Sequence, residues 1–223
     1  MSADPALLPA VEIVTGDSPQ LAVIWLHGLG ADGHDFEPIV PELRLRFPVR
    51  FVFPHAPVRP ITVNGGMEMR GWYDIVGFGV NMREDAAGIR ESCAAVTRLI
   101  DREVARGIPP SCIVLAGFSQ GGAVALHTAL REPRALGGVL ALSTYLPLGE
   151  TLPAERSAAN RSTPIFMAHG SADPLLPLAL AESSRRTLEA LGYAVDWHVY
   201  PMPHSVSMDE IADIAAWLKA RIG

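Results

Sequence analysis

The sequence alternates short, continuous apolar runs with longer segments of helical period, and this alternation limits the fold more than any other feature. Runs such as residues 22–26 and 113–116 contain no charged or strongly polar position. Strands have this composition when helices cover both of their faces and neither face meets water. We therefore predict an α/β fold in which a mostly parallel central sheet is flanked by helices.

The two kinds of segment can be assigned along the chain. Strand composition is found at residues 11–14, 21–26, 50–53, 112–116, 138–142, 164–168 and 194–200. Helical period is found at residues 82–106, 120–130, 178–191 and 206–222. Asn81 and Glu84 resemble a capping box for the first of these helices, and Gly107 is expected to end it.

Composition bounds the class of protein and its partners. Of 223 residues, 49% are hydrophobic and 19% are charged, so the chain can bury a large core and intrinsic disorder is excluded. With 18 basic and 24 acidic side chains, the formal net charge is −6, which argues against a nucleic-acid partner. No apolar stretch approaches the roughly 20 residues of a membrane-spanning helix, so no integral membrane association is expected. Because no repeat or linker divides the chain, we predict a single domain over residues 1–223.

The N-terminus and the cysteines indicate a compartment. No Lys or Arg precedes an apolar segment at the N-terminus, so we expect no secretory signal. Cys93 and Cys112 are too few for a disulfide framework, and we expect two small buried thiols. A reducing cytoplasm is therefore the predicted location.

Residues 117–121, Gly-Phe-Ser-Gln-Gly, form a G-x-S-x-G pentapeptide between an apolar run and a helix of small residues. A strained strand–turn–helix elbow that exposes a nucleophilic serine requires this arrangement, because flanking glycines allow close approach without a Cβ clash. The pattern predicts Ser119 as a nucleophile. The alternative is a serine that only caps a core helix.

A serine nucleophile needs a base, and the base needs an orienting carboxylate, in the chain order Ser, acid, His on this type of fold. Of the 7 histidines, chain order or a position inside or at the end of an element disfavours six: His27, His34, His55, His127, His169 and His198. His204 follows the last predicted strand and is the expected base. The alternative is a loop histidine that faces solvent.

The orienting carboxylate is expected at Asp173, which directly follows the predicted strand 164–168 and precedes Pro174. An Asx turn or a helix cap is the alternative role. The other acidic candidates lie within a strand or in segments expected to be exposed: Asp196, Glu150, Glu155, Glu182 and Glu189. Backbone N–H groups of Gln120, after the nucleophile, and of Leu29, in the Gly-rich turn after an early strand, are the expected oxyanion hole.

Two stretches, residues 54–80 and 143–163, fit neither a strand nor a helix and are rich in apolar and aromatic residues. We interpret them as ordered loops that determine the substrate. Within them, Trp72, Leu146 and Leu148 are the predicted lining of an acyl pocket. The sequence holds no His-Glu-x-x-His, Cys-x-x-Cys or phosphate-binding glycine motif, so neither a metal nor a cofactor is expected.

Several motifs together resemble the phospholipase/carboxylesterase family of α/β-hydrolases, which includes bacterial carboxylesterases and eukaryotic acyl-protein thioesterases (lysophospholipases). They lie at residues 26–36, 53–57, 70–74, 117–122, 169–174 and 203–204. The resemblance runs from about residue 20 to the C-terminus. It places Ser119, Asp173 and His204 on the family's triad, and Leu29 and Gln120 on its oxyanion hole. It also implies a hydrolase without a separate lid domain, and it admits a homodimer.

We therefore expect a serine carboxylesterase that hydrolyses short- to medium-chain acyl esters through an acyl-enzyme. An acyl-protein thioesterase or lysophospholipase that uses the same triad is the first alternative. A serine peptidase of the same fold would need an additional domain, for which the chain has little room. A non-catalytic, ligand-binding member of the fold would require a damaged triad, and none is visible in the sequence.

Overall fold

A computed structural model describes residues 7–77 and 83–222. Within these residues, seven strands form the central sheet: β1 (Ala10–Val14), β2 (Leu21–Leu26), β3 (Val49–Pro54), β8 (Ile113–Phe118), β9 (Gly138–Leu142), β10 (Ile165–Gly170) and β11 (Val195–Tyr200). Four short strands lie outside it: β4 (Val58–Ile61), β5 (Met67–Arg70), β6 (Ile75–Val76) and β7 (Arg83–Glu84). The predicted α/β architecture is confirmed.

The strand order in the central sheet is β1-β3-β2-β8-β9-β10-β11. Only β1 pairs antiparallel, with β3, and every other neighbouring pair is parallel. In this register Leu26 lies beside Gly117, and Phe118 lies beside Leu142. The carboxyl ends of the central strands therefore meet at one edge, which is where α/β proteins place their ligands.

The helices of the described residues are α1 (Ile39–Leu43), α2 (Ala86–Ala105), α3 (Gln120–Arg131), α4 (Leu152–Glu155), α5 (Leu178–Ala190) and α6 (Met208–Lys219). They cover both faces of the sheet. Along β2, Ile24 faces a core shared with α2 and α3, while Val23 and Trp25 face a core shared with α1 and α6. Both faces of the strand are thus buried, which explains why its sequence has no polar position.

The first turn of α2 differs from the prediction. The helix begins at Ala86, where the Asp85 side chain accepts a hydrogen bond from the Gly88 N–H (2.9 Å). Glu84, expected in a capping box, instead belongs to β7 and pairs with Ile75, and Asn81 lies outside the described residues. An apolar stripe locates the helix, but the strand pairing that precedes its first residue is invisible to helical periodicity.

Both stretches without strand or helix period contain local structure. In the first, β4 and β5 form an antiparallel hairpin, and Ile75 and Val76 pair with the strand that precedes α2. The second contains the one-turn α4. No helix in the part of the chain that the structure describes is long and apolar enough to cross a membrane.

Candidate active site

The turn between β8 and α3 holds Ser119 in a strained conformation. Its φ of 54° and ψ of −120° are rare for a residue with a side chain. The neighbouring glycines make the turn possible, because a Cβ on Gly117 would lie 2.3 Å from the backbone of Gly121, and one on Gly121 would lie 2.4 Å from the Leu26 oxygen. Although Ser119 precedes the helix, its side chain makes no capping hydrogen bond, so helix capping does not explain the serine.

Hydrogen bonds to its N–H and to its carbonyl hold the strained residue from both sides. The Ser119 N–H donates to the Leu142 oxygen (2.9 Å), at the end of the neighbouring strand. The Thr144 hydroxyl donates to the Ser119 carbonyl (2.6 Å). The serine side chain is therefore presented by a backbone that has little freedom to relax.

His204 and Asp173 lie on the loops that follow β11 and β10, as the sequence predicted. Nδ1 of His204 donates to Oδ2 of Asp173 at 2.6 Å, and the His204 side chain is 11% exposed. Burial by itself would raise the pKa of Asp173, but the hydrogen bonds from His204 and from the N–H groups of Leu176 and Leu175 outweigh it and lower the pKa. Asp173 is thus an ionised carboxylate held against the imidazole at neutral pH.

Ser119 and His204 line one cavity, and the His204 ring packs 4.7 Å from the ring of Phe118. Among the described residues, Ser119 Oγ forms no hydrogen bond to His204. Such bonds are often long in the absence of substrate. The structure brings the three residues of the predicted triad to the same edge of the sheet and joins two of them directly.

The two predicted oxyanion donors, Leu29 and Gln120, line the same cavity as Ser119. Gln120 is the first residue of α3, where a backbone N–H has no partner within the helix. The turn that carries Leu29 is shaped by Gly30, whose φ is +80° and whose N–H donates to the Arg70 oxygen (2.8 Å). Both residues thus lie beside Ser119, and their role as oxyanion donors stays a prediction.

The side chain of Gln120 has a role that was not predicted from the sequence. Its amide accepts from the Trp72 N–H (2.8 Å) and donates to the Tyr73 carbonyl (2.7 Å). These two bonds tie the first long loop to the start of α3. A glutamine amide can pair with one donor and one acceptor of an extended backbone, so a glutamine directly after the predicted nucleophile is the signal in the sequence that could have suggested the link.

The cavity beside Ser119 has a volume of about 640 Å³. Most of its walls are apolar or aromatic side chains, and they include Leu29, Tyr73, Ile75, Phe118, Tyr145, Leu175, Leu176 and Leu180. Its size and character are typical of a site for a small apolar molecule.

Trp72, Leu146 and Leu148 are not in the cavity wall, and this corrects the predicted lining. Trp72 is fully buried, and its indole N–H donates to the His27 carbonyl (2.8 Å). Leu146 is buried in the core, and Leu148 packs against that core from a partly buried position. The neighbouring tyrosines, Tyr73 and Tyr145, face the cavity instead.

Two other buried histidines have structural partners. His27 donates from Nδ1 to the Gly28 carbonyl (2.7 Å), and its Nε2 accepts from the Ala56 N–H (3.0 Å). His127 contacts the Cys93 sulfur at 3.1 Å. Burial lowers the pKa of His127 to about 4 and raises the pKa of Cys93 to about 11, so this pair is uncharged at neutral pH. No cluster of potential metal ligands occurs among residues 7–77 and 83–222.

Comparison with known proteins gives a consistent result. The model of the phospholipase/carboxylesterase family matches residues 9–222. Acyl-protein thioesterase 1 of Neurospora crassa is 42% identical over 231 residues, covering 98% of this chain and 91% of that protein. Acyl-protein thioesterase 1 of Gibberella zeae is 41% identical over 211 residues, covering 90% of each.

Solved structures extend the similarity to the fold. SOBER1 of Arabidopsis thaliana has a TM-score of 0.87 at 32% identity, covering 91% of this chain and 99% of that one. Acyl-protein thioesterase 2 of Zea mays has a TM-score of 0.84 at 26% identity, covering 96% of this chain and 100% of that one. The family match over residues 9–222 includes every strand of the central sheet and the edge that carries the candidate site.

Proposed function

Because the chain belongs to the phospholipase/carboxylesterase family of α/β-hydrolases, we propose that it is an acyl-protein thioesterase whose nucleophile is Ser119. The proposal rests on one observation above all: the strained Ser119 shares a largely apolar cavity with a histidine that is bonded to a carboxylate. The sequence alone favoured a simple carboxylesterase. The names of the relatives that match most of the chain favour the thioesterase, which was the first alternative.

Acylation begins with proton transfer from Ser119 Oγ to Nε2 of His204, while Oγ attacks the acyl carbonyl carbon. The N–H groups of Leu29 and Gln120 donate to the oxyanion of the tetrahedral intermediate. When the intermediate collapses, the carbon–sulfur bond breaks and His204 gives its proton to the leaving thiolate. The products of this half-reaction are a free thiol and an ester between the acyl group and Ser119.

Deacylation repeats the sequence with water as the nucleophile. His204 takes a proton from water, the resulting hydroxide attacks the Ser119 ester, and the protonated His204 returns the proton to Ser119 Oγ. Asp173 keeps Nδ1 of His204 protonated and stabilises the imidazolium in both half-reactions. This chemistry uses side chains and backbone N–H groups alone, so we propose that no cofactor takes part.

The cavity is the proposed source of binding free energy for the acyl chain of the substrate. An acyl chain that leaves water for the walls formed by Ile75, Leu176 and Leu180 contributes binding free energy in proportion to the apolar area it buries. That contact lies on the acyl side of the scissile bond, so thioesters, simple esters and lysophospholipids could all use it. The leaving group therefore determines which of these three substrate classes is hydrolysed fastest. We propose a cytoplasmic enzyme, and the family resemblance admits a homodimer.

The experiment is a panel with one acyl group on three leaving groups: an octanoyl thioester of a cysteine peptide, p-nitrophenyl octanoate and octanoyl lysophosphatidylcholine. We expect kcat/KM for the thioester to exceed the value for the lysophospholipid by at least about tenfold. Ser119→Ala is the control and should abolish turnover of all three. A preference for the activated ester after correction for its faster spontaneous hydrolysis would identify a simple carboxylesterase, and a preference for the lipid would identify a lysophospholipase.

A further inference from the structure

A second histidine lies beside the triad, inside the end of β10. His169 is fully buried, and its Nε2 is 2.8 Å from the Leu176 carbonyl and 3.4 Å from Oδ2 of Asp173. The 2.8 Å contact has hydrogen-bond geometry, whereas the 3.4 Å contact is a longer electrostatic approach. His169 thus contacts the same carboxylate oxygen that accepts the proton of His204.

The chemistry of these neighbours assigns the proton of His169. A carbonyl oxygen only accepts, so Nε2 must carry the hydrogen that it donates to Leu176. Nδ1 of His169 is buried and has no hydrogen-bond partner among the described residues. Burying Nδ1 without a partner costs free energy, so packing alone does not account for a histidine at this position. The hydrogen bond of Nε2 is the interaction that offsets this cost.

The bond from His169 completes a small frame around Asp173. Oδ1 of Asp173 accepts from the N–H groups of Leu175 and Leu176, each at 2.9 Å. Leu176 therefore uses its N–H to hold Asp173 and its carbonyl to bind His169. Leu176, together with the bond from the Asp173 N–H to the Gly170 carbonyl (3.3 Å), fixes the turn that carries the carboxylate to the strand before it, and Oδ2 faces His204.

We propose that His169 is a positioning residue, which acts through Leu176 and Asp173 to keep the carboxylate aligned with His204. This inference rests on the proposed function. Leu175 and Leu176 also line the cavity, so the turn that His169 fixes belongs both to the triad and to the wall that receives the acyl chain. A loss of His169 is therefore expected to reach both the carboxylate and the wall, so the test needs a substrate that does not depend on the wall.

The test compares two substitutions of His169 that place a side-chain amide at different distances from the backbone. In His169→Gln the amide can occupy the position of Nε2 and donate to Leu176, whereas in His169→Asn it reaches only the position of Nδ1. With p-nitrophenyl acetate, which is too short to depend on the cavity wall, we expect kcat of the Asn variant to fall by about tenfold or more, with little change in KM. The Gln variant should recover most of the loss. Equal kcat values for the two variants would overturn the proposal.

A double-mutant cycle separates positioning from general loosening. If His169 acts through the carboxylate, His169→Asn should lower kcat by less than about twofold in an Asp173→Asn background. A full tenfold loss in that background would contradict the proposal. Rates are normalised to active sites titrated with a fluorophosphonate, so misfolded protein does not count. Wild-type activity that survives in Ser119→Ala would instead contradict the proposed function and leave a recognisably different result.

Discussion

The elbow around Ser119 and the loops around the cavity are held together in different ways. At the elbow, backbone packs on backbone, and a Cβ added to Gly117 or Gly121 would lie within 2.4 Å of main-chain atoms. In the loops the nearest atoms are those of side chains: a Cβ on Gly71 would lie 3.0 Å from the Ile61 side chain, one on Gly149 would be no closer than 3.4 Å to the Leu146 side chain, and one on Gly65 would have no neighbour within 4 Å. Ser119, the proposed nucleophile, is fixed by the main chain, and the cavity wall is formed by side chains.

This difference separates chemistry from selectivity. Main-chain geometry at the elbow cannot vary without disturbing Ser119, whereas side chains in the wall can change size while the strands and the triad stay in place. One scaffold can therefore keep the proposed acyl transfer and accept different acyl groups.

The largest effect is expected from Gly117→Ala. The new methyl group would overlap the Gly121 carbonyl, which belongs to a helix that cannot shift cheaply. We expect a loss of about 3 kcal/mol of unfolding free energy, or no folded protein, measured by urea denaturation. Gly149→Ala is the matched control and should cost less than about 1 kcal/mol. Similar losses in the two variants would remove the contrast between the regions.

Asp173→Asn should leave the fold intact and remove the carboxylate from His204. An asparagine that keeps the turn can donate its amide N–H to Nδ1 of His204. This favours the tautomer with the proton on Nε2, which cannot accept the proton of Ser119. We expect kcat to fall by about 10³ to 10⁴. Circular dichroism checks the fold, and steady-state kinetics gives the rate. A loss of less than about tenfold would show that Asp173 does not orient the base.

A smaller effect is expected in the wall. Leu180→Trp fills part of the cavity and should lower kcat/KM for dodecanoyl substrates by about tenfold while sparing acetyl substrates. Leu148→Trp, outside the wall, is the matched control. The chain-length profile is the measurement. A shifted profile for Leu148→Trp and an unchanged one for Leu180→Trp would restore the lining predicted from the sequence.

The smallest effect concerns the helix after His204. Glu210 is fully buried and forms a capping box with Ser207, and burial raises its pKa from 4.5 to about 8. The folded state thus holds this proton more tightly than the unfolded state, so stability falls as pH rises from about 5 to about 8. In Glu210→Gln this decline should shrink by at least about 1 kcal/mol, as measured by urea denaturation at several pH values. Parallel curves for the two proteins would refute the assignment.

The strands and the positions of the triad residues could be predicted because each depends on a regular constraint. Burial on both faces removes polar residues from a strand such as β9, whose bounds match the prediction. Parallel strands end at one edge, so residues that directly follow different strands, such as Asp173 and His204, come together there. The single-domain prediction for residues 1–223 follows from composition and stays a prediction.

The cavity wall could not be predicted, and the reason is visible in two pairs of neighbours. Tyr73 lines the cavity where Trp72 was expected, and Tyr145 lines it where Leu146 was expected. An irregular loop has no fixed period, so an apolar residue within it gives no indication of which way it faces. Long-range contacts determine which loop residues face the cavity, and the bonds from the Gln120 amide to the backbone of Trp72 and Tyr73 are an example.

The most direct measurement is the site of reaction with a fluorophosphonate, which forms a stable bond only with an activated serine. Intact mass spectrometry should show one adduct per chain, and peptide mapping should place it on Ser119. Ser119→Ala should take up no label and should hydrolyse neither esters nor thioesters. Labelling at another residue, or turnover by Ser119→Ala close to that of the unmodified protein, would contradict a nucleophile held by the elbow.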